Sequence, residues 1–539
     1  MTTVETDVRV ELDGETLDVP RVRQVAEEHV PVVLGPQVLS RAAASREQFE
    51  ETVRQNIPVY GVTTGYGEMI YMLVDTAKET ELQTNLVRSH SAGVGPLFAE
   101  AEARAVVAAR LNALAKGHSA VRPEVLERLA LYLNEGLTPA VPEIGSLGAS
   151  GDLAPLAHIA STLIGEGYLL RDGVKTPTGP VLRSLGIEPL RLRFKEGLAL
   201  INGTSAMTGV GALLAEYALA QARHAEIAAA LVIETLQGSM SPFQPEGHDI
   251  ARPHAGQIAS AANMRTLMAG SKLTVEHADL RKQVAASKEN GNGNGGNVYR
   301  SDVYLQKAYS LRAIPQVIGA VRDTLSHTRL KLEIELNSAN DNPLFFPGKE
   351  IFHGANFHGQ PVAFVMDFLT IALTQLGVLS ERRSNRLLNR RLSDGLPEFL
   401  IKGEPGLNSG FAGAQYPATA LIAENRTISP ASTQSVPSNG DNQDVVSMGL
   451  IATRNCRRVL RNNNIILALE FLAAAQAVDV SGRRDRLSPA ARVTYDTIRS
   501  LVPTLDDDRY MADELELVAA ELERGTVLKA LADAGVSLH

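Results

Sequence analysis

The sequence predicts a mainly α-helical protein built on a central bundle of about five long, roughly antiparallel helices. Three observations carry this. Residues 204–238, 308–338, 360–393 and 444–479 are long, rich in Ala and Leu, and repeat their apolar positions with helical period. A helix of about 35 residues spans roughly 50 Å, and one this apolar is stable only when packed against others. The segments between them, 60–68, 143–152, 201–205, 337–359 and 407–443, are rich in Gly, Asn, Tyr and Ser, as expected of irregular loops joining rigid helices.

The remaining elements follow in order. The first twenty residues alternate apolar and polar, with Asp13-Gly14 between two runs, which predicts a small hairpin. Helical patterns follow at 22–29, 40–55 and 78–88. Residues 99–134 hold two helices, split near Gly117-His118, with Pro123 opening the second. Pro315 is expected to kink the second long helix. Residues 289–297 are a Gly/Asn run whose composition favours flexibility. The chain is expected to divide into 1–203, which holds the hairpin, 204–480, the bundle, and 481–539, a C-terminal helical segment.

Bulk properties narrow the function. The 539 residues carry a formal charge of −9, which argues against a dedicated nucleic-acid binder. Arg382, Arg383, Arg386, Arg390 and Arg391 fall on one helical stripe, the pattern of a solvated or ion-paired face. The lone Cys456 allows no intramolecular disulfide, which fits a reducing cytoplasm, and it reads as a buried residue. The acidic N-terminus is no signal peptide, and no stretch reads as a membrane span. Gly65-Tyr66-Gly67 lacks the third glycine of a dinucleotide site. His353 and His358 lack zinc-site spacing, so no metal is expected.

The sharpest chemical signal is residues 145–153, GSLGASGDL. A helix should follow, capped by Asp152, with Pro155 in its first turn. In a tight bend the Gly151 amide nitrogen can attack the Ala149 carbonyl carbon. Loss of that oxygen as water closes an imidazolone, and loss of the Ser150 hydroxyl as water leaves an exocyclic methylidene. Glycine lets its nitrogen approach without a Cβ in the way. Alanine fits the strained turn, and serine supplies the leaving hydroxyl.

This stretch resembles the signature of the aromatic amino-acid ammonia-lyase and aminomutase family, whose members use 4-methylideneimidazole-5-one. Further blocks resemble it in the expected order: Tyr60–Gly67 (YGVTTGYG), Asn85–Gly93 (NLVRSHSAG), Ala199–Thr204 (ALINGT), Tyr309–Arg312 with Pro315-Gln316, Glu335–Leu344 (ELNSANDNPL) with Asn356–Gly359 (NFHG), and Asn442–Asp444. The resemblance covers about residues 20–539. Within the family it points to the tyrosine 2,3-aminomutases of bacterial enediyne biosynthesis, through Gly67–Tyr71 (GEMIY), Ser89-His90 and Gly410–Ala418 (GFAGAQYPA). The Gly/Asn run departs from that group.

The resemblance implies an ammonia-lyase, or histidase-like, fold and a homotetramer whose sites draw residues from three subunits. It implies a prosthetic group formed autocatalytically from Ala149-Ser150-Gly151, with no metal or dissociable cofactor. It places the catalytic base at Tyr60. A phenolate is strong enough to take a benzylic proton, although a phenol ordinarily ionises near pH ~10. On sequence alone, a loop tyrosine is more often a surface residue. Tyr309 resembles the second tyrosine of the site. Arg312 would grip the substrate carboxylate, the planar fork of its guanidinium matching that group. Asn202 would contact substrate and electrophile. Asn439 and Gln443 resemble the polar wall near the amine, Phe357 the aromatic beside the ring, and Gly67 a substrate contact. His90 bears on specificity, because a neutral histidine can bond a phenol and a hydroxyl read by a polar partner discriminates sharply. Histidine-specific lyases share the Ser-His pattern but place a carboxylate near the position of Gln443. Here Gln443 is neutral and Tyr416 adds an aromatic wall, which favours tyrosine. The expected reaction turns L-tyrosine into β-tyrosine through bound 4-coumarate. A tyrosine or histidine ammonia-lyase is the alternative, and an inactive helical scaffold or ligand-binding protein the alternative of another class.

Overall fold

A computed structural model describes residues 8–55, 57–289, 301 and 303–539. The Gly/Asn run from residue 290 onward lies outside the described residues. The chain is mostly helical. In chain order its elements are β1 (Val10–Glu11), α1 (Val19–Ala26), β2 (Val32–Val33), α2 (Pro36–Arg54), α3 (Glu79–His90), β3 (Val94–Leu97), α4 (Glu100–Ala115), α5 (Pro123–Asn134), β4 (Thr138–Pro139), β5 (Pro142–Ile144), α6 (Leu153–Leu163), β6 (Tyr168–Arg171), β7 (Val174–Pro177), α7 (Thr178–Ser184), α8 (Glu196–Ile201) and α9 (Ser205–Thr235). They continue as α10 (Ala255–Met268), α11 (His277–Glu289), α12 (Tyr309–Arg312), α13 (Ile314–Leu336), α14 (Gln360–Leu388), α15 (Gln415–Arg426), α16 (Gly449–Ser481), α17 (Pro489–Leu501), α18 (Ala512–Glu523) and α19 (Thr526–Asp533).

The four Ala/Leu-rich segments became α9, α13, α14 and α16, of 31, 23, 29 and 33 residues. Two compact units form around parts of them. One holds the described residues of Met1–Glu216 with His327–Phe368 and Ser429–Cys456. The other holds Tyr217–Ser326, Leu369–Ile428 and Arg457–His539, again in their described residues.

The N-terminal hairpin does not form. β1 pairs in parallel with β2, Val10 opposite Val32. The chain does turn at Asp13-Gly14, where the Asp13 carboxylate accepts from the Glu15 and Thr16 amides. The second arm stays irregular because Leu17 donates to Asn337 Oδ1 and Asp18 caps α1. The predicted helices at 22–29, 40–55 and 78–88 correspond to α1, α2 and α3. Pro123 opens α5 as expected.

In the first unit, α4 is buried on all sides and carries polar groups into the core. Arg110 donates to Asn340 Oδ1 at 3.0 Å and to the Ala199 carbonyl. Asn112 donates to the Leu336 carbonyl. The fully buried Lys195 and Asp341 pair at 2.5 Å, and Ser119 donates to the same carboxylate. These bonds satisfy groups whose burial is otherwise costly, and they fasten the 337–359 loop beside α8. Phe49, Val59, Val62 and Phe345 form an apolar cluster, with the Phe49 and Phe345 rings 4.8 Å apart. Burial of Val59 and Val62 anchors the loop that carries Tyr60.

In the second unit, buried pairs align the long helices. Arg383 of α14 meets Glu470 of α16 at 2.5 Å, both fully buried, and Ser380 donates to the same carboxylate. Asn463 donates to the Leu373 carbonyl, so α14 and α16 run in the same direction. Gln221 donates to the Leu460 carbonyl and Arg483 to the Thr235 carbonyl, so α9 runs with them. Arg322 of α13 pairs with Glu226 of α9, while in the first unit Gly211 of α9 faces Leu332 of α13. The expected antiparallel arrangement therefore holds for α13 against α9. A parallel neighbour requires a long connection, and residues 389–448 supply it between α14 and α16.

Three further expectations are corrected. Pro315 does not kink a continuous helix. The 308–338 segment breaks at Ala313, and Pro315 sits in the first turn of α13, since proline cannot donate to the preceding turn. Of the two readings of the arginines at 382–391, ion pairing holds for three, but they do not share one face. Arg383 is buried, Arg382 pairs with Glu381 and Arg390 with Glu398. Finally, α14 and α16 are long and apolar enough to cross a membrane by length and composition, and 61% and 72% of their apolar windows are buried within the chain. Most of each apolar window packs inside the chain, while Phe364, Phe368 and Ile371 of α14 stay exposed. Cys456 is buried.

Candidate active site

A cavity of about 730 Å³ opens in the first unit. Five loops and the end of α3 line it, and they include most of the residues singled out from sequence. Tyr60, Gly67, His90, Ala149, Ser150, Asn202, Phe357, Asn439 and Gln443 all border it. Gly151 lies directly beneath, in contact with Gly203.

The Ala149-Ser150-Gly151 turn is tight and well held. Gly148, Ser150 and Gly151 all have left-handed φ, at 71°, 61° and 78°. Only glycine adopts this freely, so Ser150 carries strain. Gly148 bridges Gly151, and Gly151 bridges Gly203. A Cβ on Gly151 would lie 2.1 Å from the Gly203 carbonyl oxygen, so the position admits no side chain. The Ser150 carbonyl accepts from Asn202 Nδ2 at 2.8 Å and from the Gly203 amide at 3.3 Å. Its hydroxyl accepts from Gln443 Nε2 at 3.2 Å. A glycine nitrogen in a closed turn and a serine hydroxyl within reach of a donor are what an internal imidazolone requires, so the turn fits that group.

Asp152 does not cap α6, as sequence suggested. It stands at the N-cap position without a capping bond. Its buried carboxylate instead takes the Ser146 hydroxyl and the Met207 amide, each at 2.8 Å, and so serves the first turn of α9. Burial pushes its pKa up to about 6, against those hydrogen bonds.

The Tyr60 hydroxyl accepts the Gly67 amide at 2.9 Å. Gly67 has φ 55°, and a Cβ there would fall 2.0 Å from Asn439 Nδ2, so glycine is what lets Asn439 approach. His90 also lines the cavity, and its Nδ1 lies 2.9 Å from the Leu86 carbonyl. A carbonyl only accepts, so Nδ1 carries a proton, which leaves Nε2 as the acceptor in the neutral ring. The Asn202 amide is fixed in orientation, because its oxygen accepts the Asn342 amide at 2.8 Å. Phe357 and Leu198 supply apolar wall, and Ser438 holds the Gln443 oxygen.

Three named residues lie elsewhere. Tyr309, Arg312 and Tyr416 belong to the second unit and do not line this cavity. The Arg312 guanidinium lies over the Tyr309 ring, 4.8 Å from its centroid, and its Nε donates to the Lys307 carbonyl. Both line a second cavity of about 490 Å³ with Arg386 and Arg391. Tyr309 and Tyr416 are 73% and 72% exposed in the single chain, unusual for residues expected at a site.

Sequence reasoning passed over Tyr66, Gln83 and Asn342. Tyr66 and Asn342 sat inside recognised blocks without a role. Gln83 had a readable signal: it shares a helical face with the buried Leu86 and Val87 and with His90, where a polar residue needs a reason. His358 donates from Nε2 to the Val445 carbonyl.

The family model described as aromatic amino acid lyase matches residues 17–500. The chain is 73% identical over 533 residues to a MIO-dependent tyrosine 2,3-aminomutase of Streptomyces globisporus, covering 99% of this chain and 98% of that protein. It is 56% identical over 534 residues to a tyrosine ammonia-lyase of Cupriavidus metallidurans, covering 98% of each. The crystal structure of the tyrosine aminomutase from Streptomyces globisporus superposes with a TM-score of 0.96 at 72% identity, covering 99% of this chain and 100% of that one.

Proposed function

The chain belongs to the aromatic amino acid lyase family, and on that premise we propose that it is a tyrosine 2,3-aminomutase, converting L-tyrosine to β-tyrosine through a bound 4-coumarate. The observation that carries the chemistry is the strained turn at Ala149-Ser150-Gly151, with no room for a side chain at Gly151, which shares one cavity with Tyr60 and His90. The similarity over the whole chain supports tyrosine as substrate.

In this reading 4-methylideneimidazole-5-one, formed by the chain from Ala149-Ser150-Gly151, supplies an electrophilic methylidene that makes the substrate amine a leaving group. Ring closure joins the Gly151 nitrogen to the Ala149 carbonyl carbon and releases one water. Loss of the Ser150 hydroxyl with its α-hydrogen releases the second. No metal or dissociable cofactor takes part.

Tyr60 takes the proton from the substrate β-carbon. The Gly67 amide aimed at its oxygen stabilises negative charge there. His90 offers its Nε2 lone pair to the substrate phenol, which distinguishes tyrosine from phenylalanine. Asn202 and the Gly203 amide donate to the Ser150 carbonyl oxygen. Gln443 and Asn439 face the amine, and Phe357 and Gly67 flank the substrate. Arg312 binds the carboxylate bidentately, with Tyr309 as the second tyrosine and Tyr416 as aromatic wall. These last three complete the site from other subunits of a homotetramer. A cytoplasmic setting and a place in enediyne biosynthesis accompany the reading, on the resemblance.

Turnover of L-tyrosine, L-phenylalanine and L-histidine, assayed side by side, tests the substrate. Tyrosine should be turned over fastest. Preferential turnover of histidine, or of phenylalanine, contradicts the reading. Tyrosine consumed only to 4-coumarate and ammonia indicates the ammonia-lyase, the reading favoured by the 56% identical relative.

A further inference from the structure

Gln83 lies in α3 and does not line the cavity, yet it is fully buried. Its side-chain amide is engaged at both ends. Nε2 donates to the Gly61 carbonyl at 3.0 Å and to the Tyr66 hydroxyl at 2.8 Å. Oε1 accepts the Leu198 amide at 3.2 Å. Gly197 allows this closeness, since a Cβ there would meet the Gln83 carbonyl oxygen at 2.6 Å. One amide thus ties the Tyr60 loop to α3 and α8.

The two groups it holds bracket the Tyr60 geometry. Gly61 follows Tyr60 directly, and Tyr66 precedes Gly67, whose amide meets the Tyr60 oxygen. The Tyr66 ring also abuts the Gly61 backbone, where a Cβ would fall 2.6 Å from Cε1. It meets the Tyr60 ring edge-to-face, 6.3 Å between centroids at 86°. Ring, backbone and amide donor are therefore fixed from a single point outside the cavity.

We infer that Gln83 is a positioning residue for Tyr60, holding the Tyr60 ring and the Gly67 amide in register through Gly61 and Tyr66. The inference rests on Tyr60 being the base. Gln83 touches no substrate, so its effect falls on proton removal and not on binding. Burial pushes the Tyr66 phenol well above its ordinary range, with the Gln83 bond opposing and Tyr60 adding to it. Tyr66 therefore keeps its proton.

The test replaces Gln83 in the full chain, Gln83→Met, and measures three quantities with L-tyrosine. Intact mass should show the loss of two waters, as in the parent. The kcat should fall roughly 10- to 100-fold with KM little changed, as for a misplaced catalytic group. The primary isotope effect with β-deuterated tyrosine should rise, because proton removal becomes more limiting. A cyclised variant with parental kcat and isotope effect overturns the inference. If Gln83→Met does not cyclise, Tyr66→Phe decides alone, since it removes only the hydroxyl that Gln83 holds. A raised isotope effect there supports the inference, and a parental one overturns it. Tyr60→Phe separates the two readings. If Tyr60→Phe retains activity, the assignment of the base fails. If it is inert while Gln83→Met behaves as parent, only the positioning role fails.

Discussion

At Gly151 there is no room for a single methyl group, because the Gly203 carbonyl oxygen occupies the place a Cβ would take. Gly151→Ala should therefore open the turn and block cyclisation. Intact mass should equal that of the uncyclised chain, and turnover should be lost. A variant that still loses two waters contradicts this account of the turn. Next to it, Asp152 carries a pH signature. Its folded pKa, about 6, lies above the ordinary 3.8, so the folded chain binds this proton more tightly than the unfolded one. Stability from this group is full below pH ~4, falls as pH rises toward ~6, and has lost roughly 3 kcal/mol above that. The stability difference between parent and Asp152→Asn should therefore move against the parent between pH ~4 and ~6, as read by urea denaturation. A difference that is flat across that window contradicts the assignment.

Among the elements, the α14–α16 contact makes the clearest energetic claim. Arg383 and Glu470 are both fully buried and paired at 2.5 Å. Removing one partner leaves a buried charge without compensation. Glu470→Leu should cost roughly 3–5 kcal/mol, and adding Arg383→Met should recover most of it. Urea midpoints of the single and double variants check this. A single-variant loss below about 1 kcal/mol contradicts it. The elements also mark what the sequence could say. Helical period exposed every long helix, because an apolar stripe is a local signal. It did not expose their mutual direction, because Asn463 meeting Leu373, or Arg322 meeting Glu226, joins residues about 90 to 100 positions apart. It left the arginine stripe open between a solvated and an ion-paired face, since periodicity does not show that Arg383 meets Glu470 inside the core. The hairpin failed for a related reason: β1 found its partner in β2, and Asp18 was needed as a helix cap.

For the molecule as a whole, the candidate site was legible where a motif supplies local geometry. The Tyr60 loop, the turn at Ala149 and Ser150, Asn202 and Gln443 all meet in one cavity. Gln83 escaped notice because its role depends on three contacts with two other segments, the Tyr60 loop and α8. The exposure of Tyr309 and Tyr416 in a single chain fits a site completed between copies. If Arg312 serves the cavity of another subunit, two inactive variants should complement. Co-expressed Ser150→Ala and Arg312→Ala should form mixed oligomers with measurable activity, although neither is active alone. Inactivity of the mixed oligomers contradicts shared sites. The fate of the amine separates a mutase from a lyase, since the same residues could either release or return it. Chiral analysis of the products from L-tyrosine tests it most directly. β-Tyrosine should be the principal amino-acid product, with 4-coumarate minor. Stoichiometric 4-coumarate and ammonia without β-tyrosine would contradict this.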